Sequence, residues 1–365
     1  MAEKKTVLFL GNHFITLYNF RRELIEELCR RGHRVVLSLP ESEENRYFTD
    51  LGCELIPTPV SRHGMNPMED FSLVLRYLGM MRRVRPDVIF SYTIKPNIYG
   101  CMASNLLRLR QVCNVTGTGG TFLKENALAK IARLLYRISV RHCSKVFFQN
   151  VDDKNYFVRH RMVRDNWALL PGSGVNLDLH PFFPLPEGEE IRFLYIGRIM
   201  AVKGIDQYLD CARAIRAKHP NTRFYLAGFV EEERFRPILE QCEKEGVAEY
   251  IGFRKDIDDW IHRCHCTVLP SLGGEGVPNV LLESAAAGRV CIASDVSGSR
   301  EVIADGETGY LFRPGDSADL IEKVERFLSL SREEMAEMGR RGREKASWEF
   351  DRDKVVQRYL QEVEG

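Results

Sequence analysis

The chain has 365 residues, with 52 lysines and arginines against 51 aspartates and glutamates for a formal net charge of +1. That length is large for one core and suits two domains of about 150–200 residues each, with the ordinary composition of a globular protein. The apolar start Val7-Leu-Phe-Leu10 is too short for a signal peptide, and no uninterrupted apolar run reaches the ~20 residues of a spanning helix.

The near-zero net charge hides an asymmetry. Residues 1–175 carry 26 Lys and Arg against 16 Asp and Glu, and the remainder 26 against 35. A basic first half next to an acidic second half points to an anionic partner for the first. Nucleic acid is not that partner, because aromatics are not interleaved with the charges. The ten cysteines show no paired spacing. They read as reduced, mostly buried cytosolic thiols and not as a metal site.

In chain order, Thr6–Leu10 reads as a buried strand, Gly11-Asn12-His13-Phe14 as a turn, Leu17–Arg31 as a helix and Arg34–Leu39 as the next strand. This is a βαβ unit of a doubly wound sheet. Gly52–Ile56, Pro86–Phe90, a strand ending at Asn114–Thr116, and Lys145–Gln149 continue the sheet, with a helix over Phe71–Arg83. Ligands of open parallel sheets gather at the carboxyl ends of the strands. That selects Gly11–His13, Thr93–Asn97 and Thr116–Thr121, where His13 and Lys95 are the groups able to act on an acceptor. The segment Phe122–Lys145 sets Leu128, Ile131, Leu134, Leu135 and Ile138 at helical spacing among Lys124, Lys130, Arg133, Arg137, Arg141 and Lys145. It reads as an interfacial helix for anionic headgroups, helped by Arg82, Arg83 and Arg85. The other reading is a helix packed on the sheet with a basic outer face.

Leu169–Asn176 has the proline and glycines of a joint between domains. A second alternation follows: strand Ile191–Ile196, loop Gly197–Gly204, helix Ile205–Lys218, strand Thr222–Ala227, a strand end with Gly252, Phe253 and Arg254, then strand Cys266–Pro270. Gly273, Gly274 and Gly276 then form a loop that lets backbone approach a ligand. Pro278 suits the first position of a helix that Gly288 ends. Strand, glycine loop and helix N-terminus together make an anion site, most often for phosphate. Glu275 lies in the loop and Glu283 five residues past Pro278, about 7–8 Å along the helix. One carboxylate is thus available to a sugar and one to a ribose on either side of a diphosphate. Arg198 and Lys203 would enclose that diphosphate from the other side. Val290–Asp295 and Gly309–Phe312 are further strands, and the helices from Arg332 onward carry Trp348, Phe350 and Tyr359.

Gly197-Arg198…Lys203-Gly204, Gly252-Phe253-Arg254-Lys255-Asp256 and Glu275 followed by Glu283, in this order on successive strand ends, resemble the retaining nucleotide-sugar transferases of glycosyltransferase family 4. The resemblance covers nearly the whole chain. It implies the α/β GT-B fold: two Rossmann-like parallel-sheet domains facing a cleft, with a C-terminal helix crossing back to the first. The expected divisions are 1–172 for acceptor and membrane, 173–345 for the UDP-sugar donor, and 346–365 for the returning helix. By resemblance Arg198, Lys203 and Glu275 are catalytic. Gly197, Gly252, Phe253, Arg254, Gly276, Val277, Pro278, Asn279 and Glu283 bind the donor.

Tyr18-Asn19-Phe20-Arg21, Thr93–Gly100 and Asn114–Gly119 are similar to bacterial enzymes of capsule, O-antigen and glycan assembly. Those enzymes move an N-acetylhexosamine such as GalNAc from its UDP form onto a sugar on undecaprenyl diphosphate. Asn12, His13, Asn19, Lys95, Thr118 and Gly119 are the acceptor-side candidates. The resemblance further implies transfer with retention and no protein nucleophile, no required cofactor or metal, and a cytoplasmic protein peripheral on the inner face of the plasma membrane. A UDP-sugar epimerase or a non-catalytic UDP-sugar-binding scaffold on the same fold are the alternative readings.

Overall fold

The computed structural model describes residues 3–61, 66–118, 122 and 126–365, with the Leu128 side chain excepted. The chain divides into two compact units, one running to Ser173 and including Asp353–Gly365, the other Gly174–Arg352.

The first unit contains β1 (Thr6–Leu10), α1 (Phe14–Arg30), β2 (Arg34–Leu39), α2 (Arg46–Asp50), β3 (Glu54–Pro57), α3 (Pro67–Val84), β4 (Val88–Tyr92), α4 (Ile94–Leu107), β5 (Gln111–Val115), α5 (Ala127–Ser139), β6 (Lys145–Phe148), α6 (Val151–Arg159) and β7 (Trp167–Leu169). Its sheet runs β3-β2-β1-β4-β5-β6-β7, and every pairing is parallel. A parallel sheet covered on both faces needs apolar residues on both, which is why these strands read as continuous hydrophobic runs. Leu8, Leu10 and Ile89 pack with Tyr77, Met81 and Tyr136 on one face. Val7, Phe9, Phe90 and Phe147 pack with Leu24 and Tyr359 on the other.

The second unit contains β8 (Ile191–Ile196), α7 (Ile205–Lys218), β9 (Thr222–Ala227), α8 (Phe235–Lys244), β10 (Glu249–Gly252), α9 (Ile257–Arg263), β11 (Cys266–Leu269), α10 (Asn279–Ala286), β12 (Val290–Ser294), α11 (Ser297–Val302), β13 (Gly309–Phe312), α12 (Ser317–Leu328) and α13 (Arg332–Glu349). Its parallel sheet runs β10-β9-β8-β11-β12-β13. The last helix, α14 (Arg352–Glu364), belongs to the first unit in all but its first residue. Tyr359 wedges edge-on between Phe90 and Phe147, with ring centroids 5.2 and 5.3 Å away. Glu362 accepts from Arg110 and Lys145, each at 2.8 Å. Phe350 lies instead in the core of the second unit, and Trp348 is exposed.

Several elements differ from the sequence expectation for local reasons. Helix α1 begins at Phe14, not Leu17, because the His13 ring accepts from the Ile15 amide at 3.1 Å and caps it. Helix α3 begins at Pro67, not Phe71, because Asn66 caps it and proline takes the first position. Helix α4 follows β4 almost at once. Thr93, in left-handed backbone (φ 70°), turns the chain sharply, and Pro96 sits in the first turn, where no N–H is missed. Pro278 is the capping residue of α10 and not its first residue.

Candidate active site

In the second unit the strand order reverses between β8 and β11. That reversal is where an open parallel sheet leaves a crevice for a ligand. The two loops leaving those strands are 197–204 and 270–278. Lys203 ends a short 3-10 turn, Ala201–Lys203, on the first loop. Its Nζ contacts Oε1 of Glu275 on the second loop, and Ser271 Oγ donates to the same oxygen at 3.1 Å. Main chain joins the loops as well, with Leu272 N donating to Val202 O at 2.9 Å. Gly204 (φ 74°) makes the closest approach: a Cβ there would stand 1.9 Å from the Pro270 carbonyl oxygen. The glycine is therefore a packing requirement that brings lysine and glutamate together.

Helix α10 starts beside these loops, and no side chain caps its N-terminus. The Asn279 side-chain nitrogen, Nδ2, is buried with no hydrogen-bond partner among the described residues. One turn further on, burial pushes the Glu283 carboxyl above the usual range, opposed by the nearby His180. Burial alone would lower His180. Its bond to Asp258 (2.8 Å) and the field of Glu283 outweigh that and raise it. Sequence reading missed this His180–Asp258 pair, since neither residue stands in a motif.

Arg198 opens the loop that Lys203 closes. Its carbonyl accepts from Tyr195 Oη at 2.8 Å, while its half-exposed guanidinium lies 3.7 Å from Glu231. Gly197 packs under the Tyr195 ring. Past β9 and β10, Phe229 and Phe253 stack 4.2 Å apart and 14° from parallel, each about half exposed. Phe229 was not anticipated; an apolar ring beside Gly228 was the available signal. Gly252 accepts from Gly228 N at 2.9 Å, which ties these two turns together. Arg254 chelates Asp256 at 2.8 and 2.6 Å and lies over Trp260, so its charge is held within its own loop. The structure thus joins Lys203, Glu275 and Ser271, sets Gly276, Val277, Pro278, Asn279 and Glu283 along the adjoining helix start, and directs Arg198 toward Glu231.

In the first unit the order reverses between β1 and β4. Asn12 and His13 follow β1. Asn12 accepts from Thr16 Oγ1 at 3.4 Å, and His13 is engaged as the α1 cap. Lys95, one residue into α4, pairs with Asp70 of α3 at 2.9 Å, both side chains nearly buried. The pair forms one wall of a cavity of about 590 Å³ that Pro40, Val60, Met68 and Arg76 also line. Thr118 is buried against Asp153, whose carboxyl burial pushes up to about 6. Asn19 is exposed on α1. Gly119 and Lys124 lie outside the described residues.

Helix α5 divides its apolar positions. Ala129, Ala132 and Tyr136 are buried, whereas Ile131, Leu134 and Ile138 are 45%, 56% and 54% exposed. Arg133 and Arg137 are tied to α6 and the residue after it, through Tyr156 Oη (2.9 Å) and the His160 carbonyl (3.0 Å). Helix α3 likewise exposes Met68, Phe71 and Leu75. No helix among the described residues is long and apolar enough to cross a membrane.

Comparison with known proteins places both units. The glycosyl transferases group 1 family matches residues 178–345, and the glycosyl transferase 4-like domain matches residues 19–172. The chain is a glycosyltransferase of these families. Among curated proteins this glycosyltransferase is similar to the N,N'-diacetylbacillosaminyl-diphospho-undecaprenol alpha-1,3-N-acetylgalactosaminyltransferase of Campylobacter jejuni. The two are 26% identical over 371 residues, covering 96% of each chain. Among solved structures it resembles Anabaena HepE in complex with UDP and glucose (TM-score 0.80, 17% identity, 98% of this chain and 99% of that one). A glycosyltransferase of Rickettsia africae fits equally well (TM-score 0.80, 14% identity, 99% and 98%). These likenesses establish the GT-B fold expected from the sequence.

Proposed function

We propose that this glycosyltransferase moves an N-acetylhexosamine, GalNAc first among the candidates, from its UDP form onto a saccharide carried on a polyprenyl diphosphate, with retention of configuration. The observation that carries the reading is the Lys203–Glu275 contact at the switch point of the second sheet. A cation beside a carboxylate, next to an uncapped helix start, is the polarity of a sugar–diphosphate junction. The UDP and glucose bound by HepE and the lipid-linked sugar in the name of the Campylobacter relative support the choice of substrates.

In this reading Lys203, Arg198 and the α10 N-terminus face the diphosphate. As the bond between sugar and phosphate oxygen breaks, negative charge grows on the leaving group, and fixed positive charge there lowers the barrier. The departing oxygen takes the proton of the acceptor hydroxyl, whose oxygen bonds the anomeric carbon on the face just vacated. Glu275 accepts from the donor sugar hydroxyls and Glu283 from the ribose. Gly252, Phe253 and Arg254 line the base. The two cations replace a divalent metal, so chelator leaves turnover intact. Lys95 and its cavity lie on the acceptor side, and the exposed apolar faces of α3 and α5 with their neighbouring cations meet an anionic membrane on the cytoplasmic side.

A panel of UDP-sugars assayed for UDP release, with and without a polyprenyl-diphosphate-linked monosaccharide, tests this. Release that requires the lipid acceptor and is fastest with one UDP-N-acetylhexosamine is expected. Epimerisation or no turnover with every acceptor overturns it.

A further inference from the structure

The lining of the cavity in the first unit narrows its occupant. Pro40 follows β2, Pro59 and Val60 follow β3, and Lys95 follows β4, so the cavity sits at the carboxyl ends of three strands. Ser72 and Leu73 of α3 also line it. Its volume of about 590 Å³ is ordinary for a small-molecule site. No aromatic side chain lines it among the described residues, so a nucleobase would find no stacking surface. Asp70 and Glu69 stand against Lys95 and Arg76 in the lining, and charges that cancel do not suit a polyanion held inside. A wholly apolar ligand would strip water from the Lys95–Asp70 pair without replacing its bonds, which costs free energy. That pair, 2.9 Å apart with both side chains nearly buried, adds little stability that apolar residues of the same volume would not. Lys95 Nζ has no other partner among the described residues, which leaves ammonium donors unused. The Asp70 carboxylate likewise has acceptor sites beyond the one the lysine takes. Donors and acceptors set among proline, valine and leucine suit a neutral ligand with many hydroxyls and C–H faces, which is a sugar.

We propose that this cavity holds the saccharide of the lipid-linked acceptor, with the Lys95–Asp70 pair bonding its hydroxyl or acylamino groups and Arg76 holding the diphosphate at the rim. This placement rests on the proposed transfer to a polyprenyl-diphosphate-linked saccharide. It assigns the sugar and the diphosphate to separate side chains. Arg76 is exposed and makes no ion pair among the described residues. It lies six residues beyond Asp70 on α3, about 9 Å along the axis, which leaves room for a sugar ring between the ion pair and a phosphate. Glu69, the other carboxylate of the lining, is one residue further from Arg76 and accepts from Asn66 Nδ2 at 2.9 Å. Leu75, next to Arg76, continues the exposed apolar stripe of Met68 and Phe71. A prenyl chain leaving a phosphate at Arg76 therefore meets apolar surface on the same helix.

The test uses the full-length protein without donor. Two kinds of water-soluble ligand are titrated calorimetrically: citronellyl diphosphate, and the same diphosphate carrying N-acetylglucosamine or a diacetylated diaminosugar. The wild type is expected to bind one sugar-bearing ligand about tenfold or more tightly than the bare diphosphate, the scale of one charged hydrogen bond. Asp70→Asn with Lys95→Gln, which leaves no unpaired charge, is expected to erase that preference and to leave the bare diphosphate bound as before. Arg76→Ala is expected to weaken both by about fivefold, the scale of one exposed ion pair. Should the paired variant fail to fold, Ser72→Trp, which fills the cavity and spares the ion pair, must remove the preference for the sugar. If the wild type transfers sugar to such an acceptor while the paired variant and Ser72→Trp keep the wild-type preference, the cavity assignment is wrong and the transfer stands. If the wild type binds neither ligand and turns over no UDP-N-acetylhexosamine with any such acceptor, the transfer fails and takes the cavity assignment with it.

Discussion

The ammonium of Lys203 and the carboxylate of Glu275 meet across two loops that leave neighbouring strands, and both side chains keep about a fifth of their surface open to solvent. Without ligand each satisfies the other. A diphosphate arriving between them would draw the lysine away and release the carboxylate to the sugar. Lys203→Ala is therefore expected to lower turnover by ~100-fold, the scale of losing one fixed donor to transition-state charge. UDP release at saturating UDP-sugar measures it, and turnover near wild type would remove Lys203 from the diphosphate.

The Phe229–Phe253 stack is an exposed aromatic surface at the adjoining strand ends. An aromatic pair contributes about 1 kcal/mol beyond its buried area, and a ring lost from a base platform costs a similar amount. Phe253→Ala is expected to raise KM for the UDP-sugar about fivefold with a smaller change in kcat. Equal KM values for the two proteins would place the base elsewhere.

Gly204 holds the lysine loop against the Pro270 carbonyl in left-handed backbone. Alanine there is both strained and overlapping, so Gly204→Ala is expected to destabilise the protein by about 1–3 kcal/mol. Activity should fall with it, because Lys203 is the preceding residue. Thermal unfolding of the two proteins checks the first effect. An unchanged melting temperature would show that the loops separate at no cost.

Both sheets were legible because parallel strands buried on two faces write themselves as unbroken apolar runs, as at Val7–Leu10 and Val290–Ser294. Helix starts were less legible. His13 and Asn66 cap α1 and α3 four and five residues before Leu17 and Phe71, and a side-chain cap leaves no mark in apolar spacing. The glycines of the lysine loop announced a close approach of backbone, but not that the approach is between two loops of the protein. Pairings between residues distant in sequence, such as Lys95 with Asp70, were not legible. No local spacing records them, and only the packing of α3 against α4 brings them together.

Asp153 gives a pH signature. Its folded pKa of about 6 lies above the ordinary 3.8, with burial the cause. The folded state therefore binds the proton more tightly than the unfolded state. Its contribution is fully present below pH ~4 and is lost as pH rises to ~6, about 3 kcal/mol in all. Asp153→Asn cannot ionise. The stability of wild type relative to Asp153→Asn is expected to fall between pH 4 and 6 and to level off above. A difference constant over that range would mean that Asp153 titrates normally.

Helix α5 separates two readings of its apolar residues. A helix that only packed on the sheet would bury them. Instead Ile131, Leu134 and Ile138 recur every three or four residues on the exposed side, one stripe of an amphipathic helix. Lys130 is exposed beside them. Apolar surface entering the headgroup region and cations near anionic lipid, the latter worth about 1 kcal/mol each and weakened by salt, would act together. The protein is expected to sediment with phosphatidylserine-containing vesicles at low salt, less so at high salt and less with neutral vesicles. Leu134→Glu with Ile138→Glu should abolish sedimentation without lowering the melting temperature, since neither side chain is in the core. Turnover on a short-chain, water-soluble acceptor should persist in that variant, while turnover on the acceptor in vesicles falls. If the wild-type protein stays in the supernatant with anionic vesicles at low salt, this face does not meet a membrane.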